Sequence, residues 1–431
     1  MKCLYFNEHE KIANQKDCSE VLKEIKNDVN FPNETQKYIS IKQLKYLGIT
    51  NNIAPVATYY IGASWYIKNK YAFIVKPKID VDYIKMFMTA LENNSIQEAE
   101  YFSDYYYIDY TKPLIKIKSS DNIITPLLVI HYISLLYLLV SRRVKKGYVA
   151  QEDNLQSKIR GKILFQKHLK NNLYTKHEER FYCRYQEVAE NIPENRLLKK
   201  AFLFSYHFIN QFKSCRKLYE EMASKIKIIE TAFENVSCDI SLSQVNRINA
   251  GKIFRHYNPA MKIAKHILRH FDYSIDNIKN INKEVRPFCI DMSRLYEMYV
   301  LSILRKNYGN QIKFQVNGFC KTKLDYIKVG NDEKLILDAK YKPHYHENNK
   351  GLLKDVREIS GYARDTKILK ALNWKYNGEC FPKCVIIYPI KMKNKECGIF
   401  DFDKDSLIKH CTEVKEFNGF YKLAIPLPSK M

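Results

Sequence analysis

Leu324-Asp325-Tyr326-Ile327-Lys328-Val329, a break at Gly330-Asn331-Asp332-Glu333, and Lys334-Leu335-Ile336-Leu337-Asp338-Ala339-Lys340 form the stretch whose reading decides this fold. Both flanks are short runs rich in apolar residues, and the break holds turn formers, so the stretch reads as a β-hairpin. A two- or four-residue loop centred on Asn331-Asp332 pairs Val329 with Lys334. The same register sets Asp325 directly opposite Asp338. Opposed residues of an antiparallel pair share a face, with Cβ atoms about 5 Å apart. Lys340, two positions beyond Asp338, projects from that face too. Leu335, Leu337 and Ala339 point the other way, toward a core.

Two carboxylates held face to face repel each other unless something lies between them. A divalent cation answers that need, because Mg²⁺ takes one or two protein carboxylates and completes its shell with water and phosphate oxygen. The expected site is therefore Asp325 and Asp338 as ligands of Mg²⁺, for which Mn²⁺ can substitute. Lys340 would orient the attacking water or stabilise the leaving charge in phosphodiester hydrolysis. A helix is expected from Ser293 to about Lys306, with Asp291 or Ser293 as N-cap. Glu297, Leu301 and Leu304 fall on one face of it, which directs a carboxylate at an apolar surface. Glu297 is thus a further candidate, with a metal-bound water or Lys340 as partner. The alternative is an ordinary pairing with Arg294 or a position at the edge of the face.

At 431 residues, with 46% hydrophobic and 27% charged residues, the chain is a folded protein of two or three domains. The net charge of +24 favours a polyanionic partner, although the joint richness in Lys, Asn, Ile and Tyr also fits an AT-rich coding sequence. Eleven scattered cysteines and an opening Met1-Lys2-Cys3-Leu4-Tyr5-Phe6-Asn7-Glu8 without an apolar run point to reduced thiols and a cytoplasmic setting. Cys380, Cys384, Cys397 and His410-Cys411 lack compact zinc spacing and read as free thiols. The apolar run from Ile123 to Val140 contains Pro126, His131 and Ser134, so a buried helix is expected rather than a membrane span. Gly161-Lys162 and Gly251-Lys252 lack the remainder of a P-loop, which excludes nucleotide hydrolysis of that kind.

Along the chain, residues 1–118 read as a mainly β N-terminal domain. Tyr59–Ile67 and Tyr71–Val75 form a hairpin closed by Pro77, a helix covers Tyr83 to Leu91, and Tyr105 to Ile117 is extended. Residues 119–275 read as a helical region, and 276–431 alternate strand and helix as an α/β core. After Lys340, the polar segment Pro343–Gly351 reads as a loop at the mouth of the site, where Lys342, His344 or Lys350 would meet DNA backbone. A helix from Asp355 to Leu372 and a strand from Cys384 to Tyr388 follow. Helix, strand, hairpin, helix and strand in this order match a restriction-endonuclease-like core of the PD-(D/E)xK type.

Several segments together resemble the McrC family, the nuclease subunit of McrBC-type modification-dependent restriction systems. Tyr60-Ile61-Gly62 with Val75-Lys76-Pro77-Lys78-Ile79 resembles its N-terminal strands, and Lys158-Ile159-Arg160-Gly161-Lys162-Ile163 its L-R-G-R-I element. Tyr185-Gln186-Glu187 with Asn195-Arg196-Leu197-Leu198-Lys199 is similar to its E-F…N-R-x-L-K stretch. Phe288-Cys289-Ile290-Asp291-Met292 through Glu297 resembles its F-x-x-D-M…F-E segment, and Leu337 through Lys342 its D-x-K-Y-K. Asp355 with Ser360 through Arg364, then Val385 through Pro389, complete the series. The chain departs from the pattern at Leu324, where the family commonly has proline, and at Glu358, where it often has glutamine. An added acid at Glu358 would alter metal binding or join it.

The resemblance implies a Mg²⁺-dependent DNA endonuclease working with a McrB-like AAA+ GTPase, whose GTPase it stimulates. The implied substrate is double-stranded DNA carrying modified (methylated) cytosine. Docking to the motor would use the N-terminal region, with the Trp65–Tyr71 tip as one candidate, and self-association would use the nuclease domain. No membrane partner is expected. The alternative is a non-catalytic assembly and activation module for an NTPase motor.

Overall fold

The computed structural model describes residues 1–8, 59–79, 81–92, 105–118, 121–211, 216–248, 251, 254–271, 284–330, 333–346, 351–375, 380–391, 402 and 406–428. The chain is mixed α/β. Its strands, in order, are β1 (Lys2–Asn7), β2 (Tyr60–Ile67), β3 (Tyr71–Lys76), β4 (Tyr106–Ile108), β5 (Ile115–Lys116), β6 (Gly147–Gln156), β7 (Lys162–Ile163) and β8 (Arg180–Ala189). There follow β9 (Glu284–Val285), β10 (Phe288–Asp291), β11 (Ile312–Asn317), β12 (Lys323–Val329), β13 (Lys334–Ala339), β14 (Lys383–Lys391), β15 (Thr412–Glu413) and β16 (Phe420–Leu427). The helices used below are α1 (Tyr83–Leu91), α2 (Ile124–Val140), α3 (Pro193–Gln211), α4 (Arg216–Ala232), α5 (Asn258–His270), α6 (Met292–Tyr308), α7 (Leu352–Tyr362) and α8 (Thr366–Ala371).

Contacts divide the chain into two compact units, Met1–Ile130 with Asn282–Met431, and His131–Ile281. The sequence reading separates 1–118 from 276–431, whereas the structure joins them in one unit. The reason is β10: this short strand from the C-terminal segment lies between β2 and β4 in a five-stranded sheet of order β1-β3-β2-β10-β4. All four of its residues are buried. Nothing in a four-residue apolar run announces a distant partner, and the sequence alone reads it as the lead into α6. The β2–β3 hairpin forms where expected, with an irregularity between Trp65 and Ile67. At Gly62 the backbone has φ +143°, and a Cβ would sit 2.2 Å from the Phe288 carbonyl oxygen. Only glycine lets β10 pair that closely.

The second sheet of this unit has the order β11-β12-β13-β14-β16-β15. β11, β12 and β13 are antiparallel neighbours, while β13, β14 and β16 run parallel. Parallel central strands are covered on both faces, which explains the unbroken apolar runs Leu335-Ile336-Leu337 and Val385-Ile386-Ile387. On one face Ile327, Ile336 and Ile386 join Val356 and Ile359 of α7 and Ile368 of α8 in a single apolar cluster. On the other, the Tyr326 hydroxyl donates to the Glu297 carbonyl at 2.6 Å and ties α6 to the sheet. The helix expected over Asp355–Leu372 is two helices. Asp365 accepts hydrogen bonds from the amides of Lys367 and Ile368 and starts α8 as its N-cap.

The second unit is mainly helical, as expected for 119–275, but adds a sheet that was not expected. It holds α3, α4 and α5 around Phe204, Phe208 and Phe271, whose rings lie 5.8 and 6.2 Å apart in successive pairs. It also holds a three-stranded antiparallel sheet of order β6-β8-β7. Ten residues of β6 pair with ten of β8, from Gly147↔Ala189 to Gln156↔Arg180. Most side chains of β6 and β8 are partly or fully exposed, so no apolar alternation marks them as strands. In α2, His131 and Ser134 are buried. No helix among the described residues is long and apolar enough to cross a membrane. Cys384 is a buried free thiol and Cys411 a half-buried one, Cys380 is exposed, and Cys397 lies outside the described residues.

Replacing Gly62 with alanine forces the new methyl against the Phe288 carbonyl. The expected cost is at least about 2 kcal/mol, read as a lower urea midpoint. An unchanged midpoint would mean that β2 and β10 separate without penalty.

Candidate active site

The hairpin register is the one the sequence dictates. Val329 pairs with Lys334, Lys328 with Leu335, Ile327 with Ile336 and Tyr326 with Leu337. The turn residues Asn331 and Asp332 lie outside the described residues. At the next position the ladder gives way to side-chain chemistry: Asp325 Oδ2 accepts the Ala339 amide proton at 2.8 Å. Its carboxylate therefore lies against the end of β13, beside Asp338. Asp338 is 3% exposed. Its Oδ2 is 2.7 Å from Lys340 Nζ, yet accepts no hydrogen bond of normal geometry. Lys340 Nζ also donates to Glu358 Oε2 on α7 at 3.1 Å. Glu297 enters from α6, whose N-cap Asp291 accepts the Arg294 amide proton at 3.2 Å. Arg294, the alternative partner of Glu297, instead lies 3.6 Å from Asp291.

Asp325, Asp338, Lys340, Glu297 and Glu358 line one cavity of about 1040 Å³. Burial, then the neighbouring Asp338 and Glu297, push the Asp325 carboxyl well above the usual carboxylate range. Burial also raises Asp338, against the opposing pull of Lys340. Glu297 is pushed up to about 7 by burial and by Asp291 and Asp338. Burial alone would lower the Lys340 ammonium, but Asp338, Glu358 and Asp325 outweigh it and hold the group above its ordinary value. The cavity is thus an acidic pocket in which burial outweighs the pull of Lys340 and raises the carboxyls of Asp325, Asp338 and Glu297.

Asp325 and Asp338 fit a hard divalent cation. Two carboxylates are the number Mg²⁺ commonly takes from protein, and Asp338 Oδ2 is a buried acceptor without a directed donor. Among the described residues no group of three or more His, Cys, Asp and Glu side chains could hold a metal by itself.

The segment after Lys340 differs from expectation. Lys342 Nζ is 2.7 Å from both carboxylate oxygens of the buried Asp355, which also accepts the Tyr345 hydroxyl proton. Lys342 therefore clamps the chain to α7, and its charge is already committed. The side chains of His344 and His346, and Lys350, lie outside the described residues. Two contributors from the N-terminal sheet were not legible as site residues. Lys78 Nζ donates to the Tyr341 carbonyl at 3.0 Å and sits 4.3 Å above the Tyr341 ring. Glu8 Oε2 accepts the Lys78 amide proton at 3.0 Å. Burial raises Glu8 to about 7 despite Lys78. Their only sequence signal is the Val75–Ile79 segment, which says nothing about where Lys78 reaches.

Residues 106–360, more than half of the chain, match the model of the family described as McrBC 5-methylcytosine restriction system component. No curated protein matches. Among solved structures, the chain is similar to one in the refined half-complex from a tetradecameric assembly of Thermococcus gammatolerans McrB AAA+ hexamers with bound McrC. The identity is 14%, the match covers 99% of this chain and 94% of that one, and the TM-score is 0.40. A chain of the Thermococcus gammatolerans McrBC complex is also 14% identical, over 71% of this chain and 88% of that one, with a TM-score of 0.31.

Asp355 and Glu358 share α7 but differ in burial, and substitution separates them. Asp355→Asn leaves Lys342 without its carboxylate and is expected to destabilise the chain by about 2 kcal/mol. Glu358→Gln, at an exposed position, should move the melting temperature little. Equal effects in thermal denaturation would show that Asp355 is not the clamp.

Proposed function

The chain belongs to the family of McrBC 5-methylcytosine restriction system components, and on that premise we propose that it is the McrC-type subunit, a Mg²⁺-dependent DNA endonuclease with a PD-(D/E)xK restriction-endonuclease-like core. The observation that carries this reading is the meeting of Asp325 and Asp338 at the end of β12 and β13, with Lys340 2.7 Å from Asp338. In this reading 1–118 docks the partner and 276–431 carries the chemistry. The partner is a McrB-like AAA+ GTPase, which this chain stimulates. The substrate is double-stranded DNA with modified cytosine, and the net charge of +24 supports a polyanionic one.

Bound between the two aspartates, Mg²⁺ would neutralise charge on the scissile phosphate and acidify a water ligand. The chain's own residues do the rest. Asp325 is held by the Ala339 amide, so its second oxygen is left for the cation. Lys340, steadied between Asp338 and Glu358, presents a compact ammonium toward the position of the attacking water. Glu297 supplies the third acidic group of the cavity, whose ionisation a cation would favour. The alternative, an idle module, is disfavoured because the buried carboxylate pair destabilises the fold when no cation is bound.

Plasmid cleavage in Mg²⁺, with GTP and the GTPase partner, tests the proposal. Asp325→Ala, Asp338→Ala and Lys340→Ala should each reduce cleavage at least about a hundredfold, with partner GTPase stimulation retained. Lys340→Arg should not restore cutting, because a planar fork cannot replace a point charge. Full cleavage by Asp338→Ala would place the chemistry elsewhere.

Metal affinity should depend on pH with a definite sign. Glu297, Asp325 and Asp338 all bind protons more tightly than ordinary carboxylates, so a cation must displace protons. Calorimetric Mn²⁺ affinity should rise between about pH 5.5 and pH 8, with proton release detected as a buffer-dependent enthalpy. A flat profile would mean that the cation binds away from these acids.

A further inference from the structure

Beside the cavity, a surface strip holds two phenylalanine rings in water, each beneath a cation. Phe319 is 51% exposed and Phe381 40% exposed. Lys367 Nζ stands 4.6 Å from the Phe319 ring centre, and Arg364 Cζ 4.4 Å from that of Phe381. Exposed cation–π pairs are worth only about 0.5–1 kcal/mol, too little to account for how firmly the Phe319 turn is built.

That turn, Phe319–Lys321, joins β11 to β12 and is fixed from several sides. Asp365 Oδ2 accepts the Phe319 amide proton at 2.7 Å. Its other oxygen accepts the amide of Lys367 at 2.9 Å, so one carboxylate binds the turn to the start of α8. The Thr322 hydroxyl donates to the Phe319 carbonyl at 2.7 Å. A Cβ on Gly318 would sit 2.4 Å from both Asp365 Oδ2 and Thr322 Oγ1, so a larger residue there would have to displace these two hydrogen-bonded side chains. Lys321 adopts φ +60°, which is unfavourable for a residue with a side chain. The fold thus spends conformational strain and a carboxylate to keep an aromatic ring exposed in one place.

Asp365 faces backbone amides, and among the described residues neither Arg364 nor Lys367 forms an ion pair with a carboxylate. Along the chain, the strip adjoins two residues that line the cavity. Lys323 and Tyr362 line that cavity, and the Tyr362 hydroxyl donates to the Lys323 carbonyl at 3.2 Å. Lys323 stands two residues before Asp325, and Arg364 two after Tyr362.

The geometry points to this strip as the track for duplex DNA flanking the scissile phosphate: Arg364 and Lys367 contact phosphates, and Phe319 packs against the deoxyribose of the same strand. The assignment rests on the nuclease reading above and adds where the substrate lies. Arg364 is steadied by the Ser360 carbonyl at 2.9 Å but neutralised by no acid among the described residues, so it and Lys367 can supply salt-dependent, sequence-independent affinity, and a fixed aromatic face supplies apolar contact to sugars of any sequence. An acidic peptide would satisfy the cations, but it has no reason to run into a cavity shaped for phosphodiester hydrolysis. Lys342, committed to Asp355, is not part of this track.

The test is fluorescence anisotropy of the full-length chain on a 30-base-pair duplex over a salt series, without divalent metal so that no cutting occurs. Arg364→Ala with Lys367→Ala should weaken binding about tenfold at 100 mM salt and lower the salt slope by about 2. Lys306→Ala with Lys415→Ala, which removes the same charge from other exposed positions, should do neither. Phe319→Ala should weaken binding about tenfold with the slope unchanged, because an apolar contact to the sugar is lost, and Phe319→Trp should restore it. Circular dichroism verifies that each variant is folded. Unaltered affinity and slope in the Arg364/Lys367 variant overturn the assignment. So does normal duplex binding with lost stimulation of the GTPase partner, which would make the strip a protein interface. In either case cleavage abolished by Asp338→Ala leaves the nuclease reading standing. Cleavage that survives Asp338→Ala removes that reading and the track with it.

Discussion

The register of β12 against β13 is the constraint on which the rest depends, and a buried ion pair pins it at the turn. Lys328 is 1% exposed and donates to Glu333, while its ammonium sits 4.0 Å over the Tyr308 ring. Glu333 in turn accepts from the amides of Leu407 and Ile408. Burial would raise the Glu333 carboxyl, yet Lys328 and these two amides hold it below its ordinary value. A one-residue slip would leave a charged lysine buried without a partner and turn every apolar side chain of β13 to the opposite face. The slip is therefore excluded, and three ladder positions on from Lys328, Asp325 has no choice but to meet Asp338.

The two ends of this hairpin have opposite energetic character. At the turn, charge is matched and every polar atom named above has a partner. At the far end, Asp325, Asp338, Glu297 and Glu358 gather around Lys340, and burial raises the first three carboxyls. For such groups the sign is fixed: a carboxyl with a raised folded value stabilises the folded chain less as pH climbs from the ordinary carboxylate range, near 4.5 for Glu297, through its folded value of about 7. The stable end positions the unstable one. That division is expected where a protein concentrates charge for a reaction on a scaffold rigid enough to tolerate it.

The N-terminal sheet is part of that scaffold. β10 comes from the C-terminal segment, pairs with β2 and β4, and ends at Asp291, the N-cap of α6 that carries Glu297. Lys78, leaving β3, grips the Tyr341 carbonyl one residue beyond Lys340. Both links run directly from the N-terminal sheet to catalytic candidates, which gives that sheet a physical route to the position of Lys340 and of α6.

The sequence by itself determined what local periodicity and turn chemistry can encode. The β12–β13 register follows from one polar break and from alternation about it, and α6 from an N-cap and an apolar face. The β2–β3 hairpin, the buried α2 and the convergence of Asp325 with Asp338 were legible for the same reason: their partners lie within a few residues or on the adjacent strand. Tertiary structure alone decided the contacts between residues far apart in the chain. Lys78 reaching Tyr341, Glu358 reaching Lys340, Asp355 holding Lys342 and β10 joining a sheet begun in the first ten residues depend on how separate elements are brought together, and no spacing in the sequence records that distance. β6 and β8 stayed hidden for a different reason. Their side chains face solvent, so backbone hydrogen bonds hold them without leaving an apolar pattern to read.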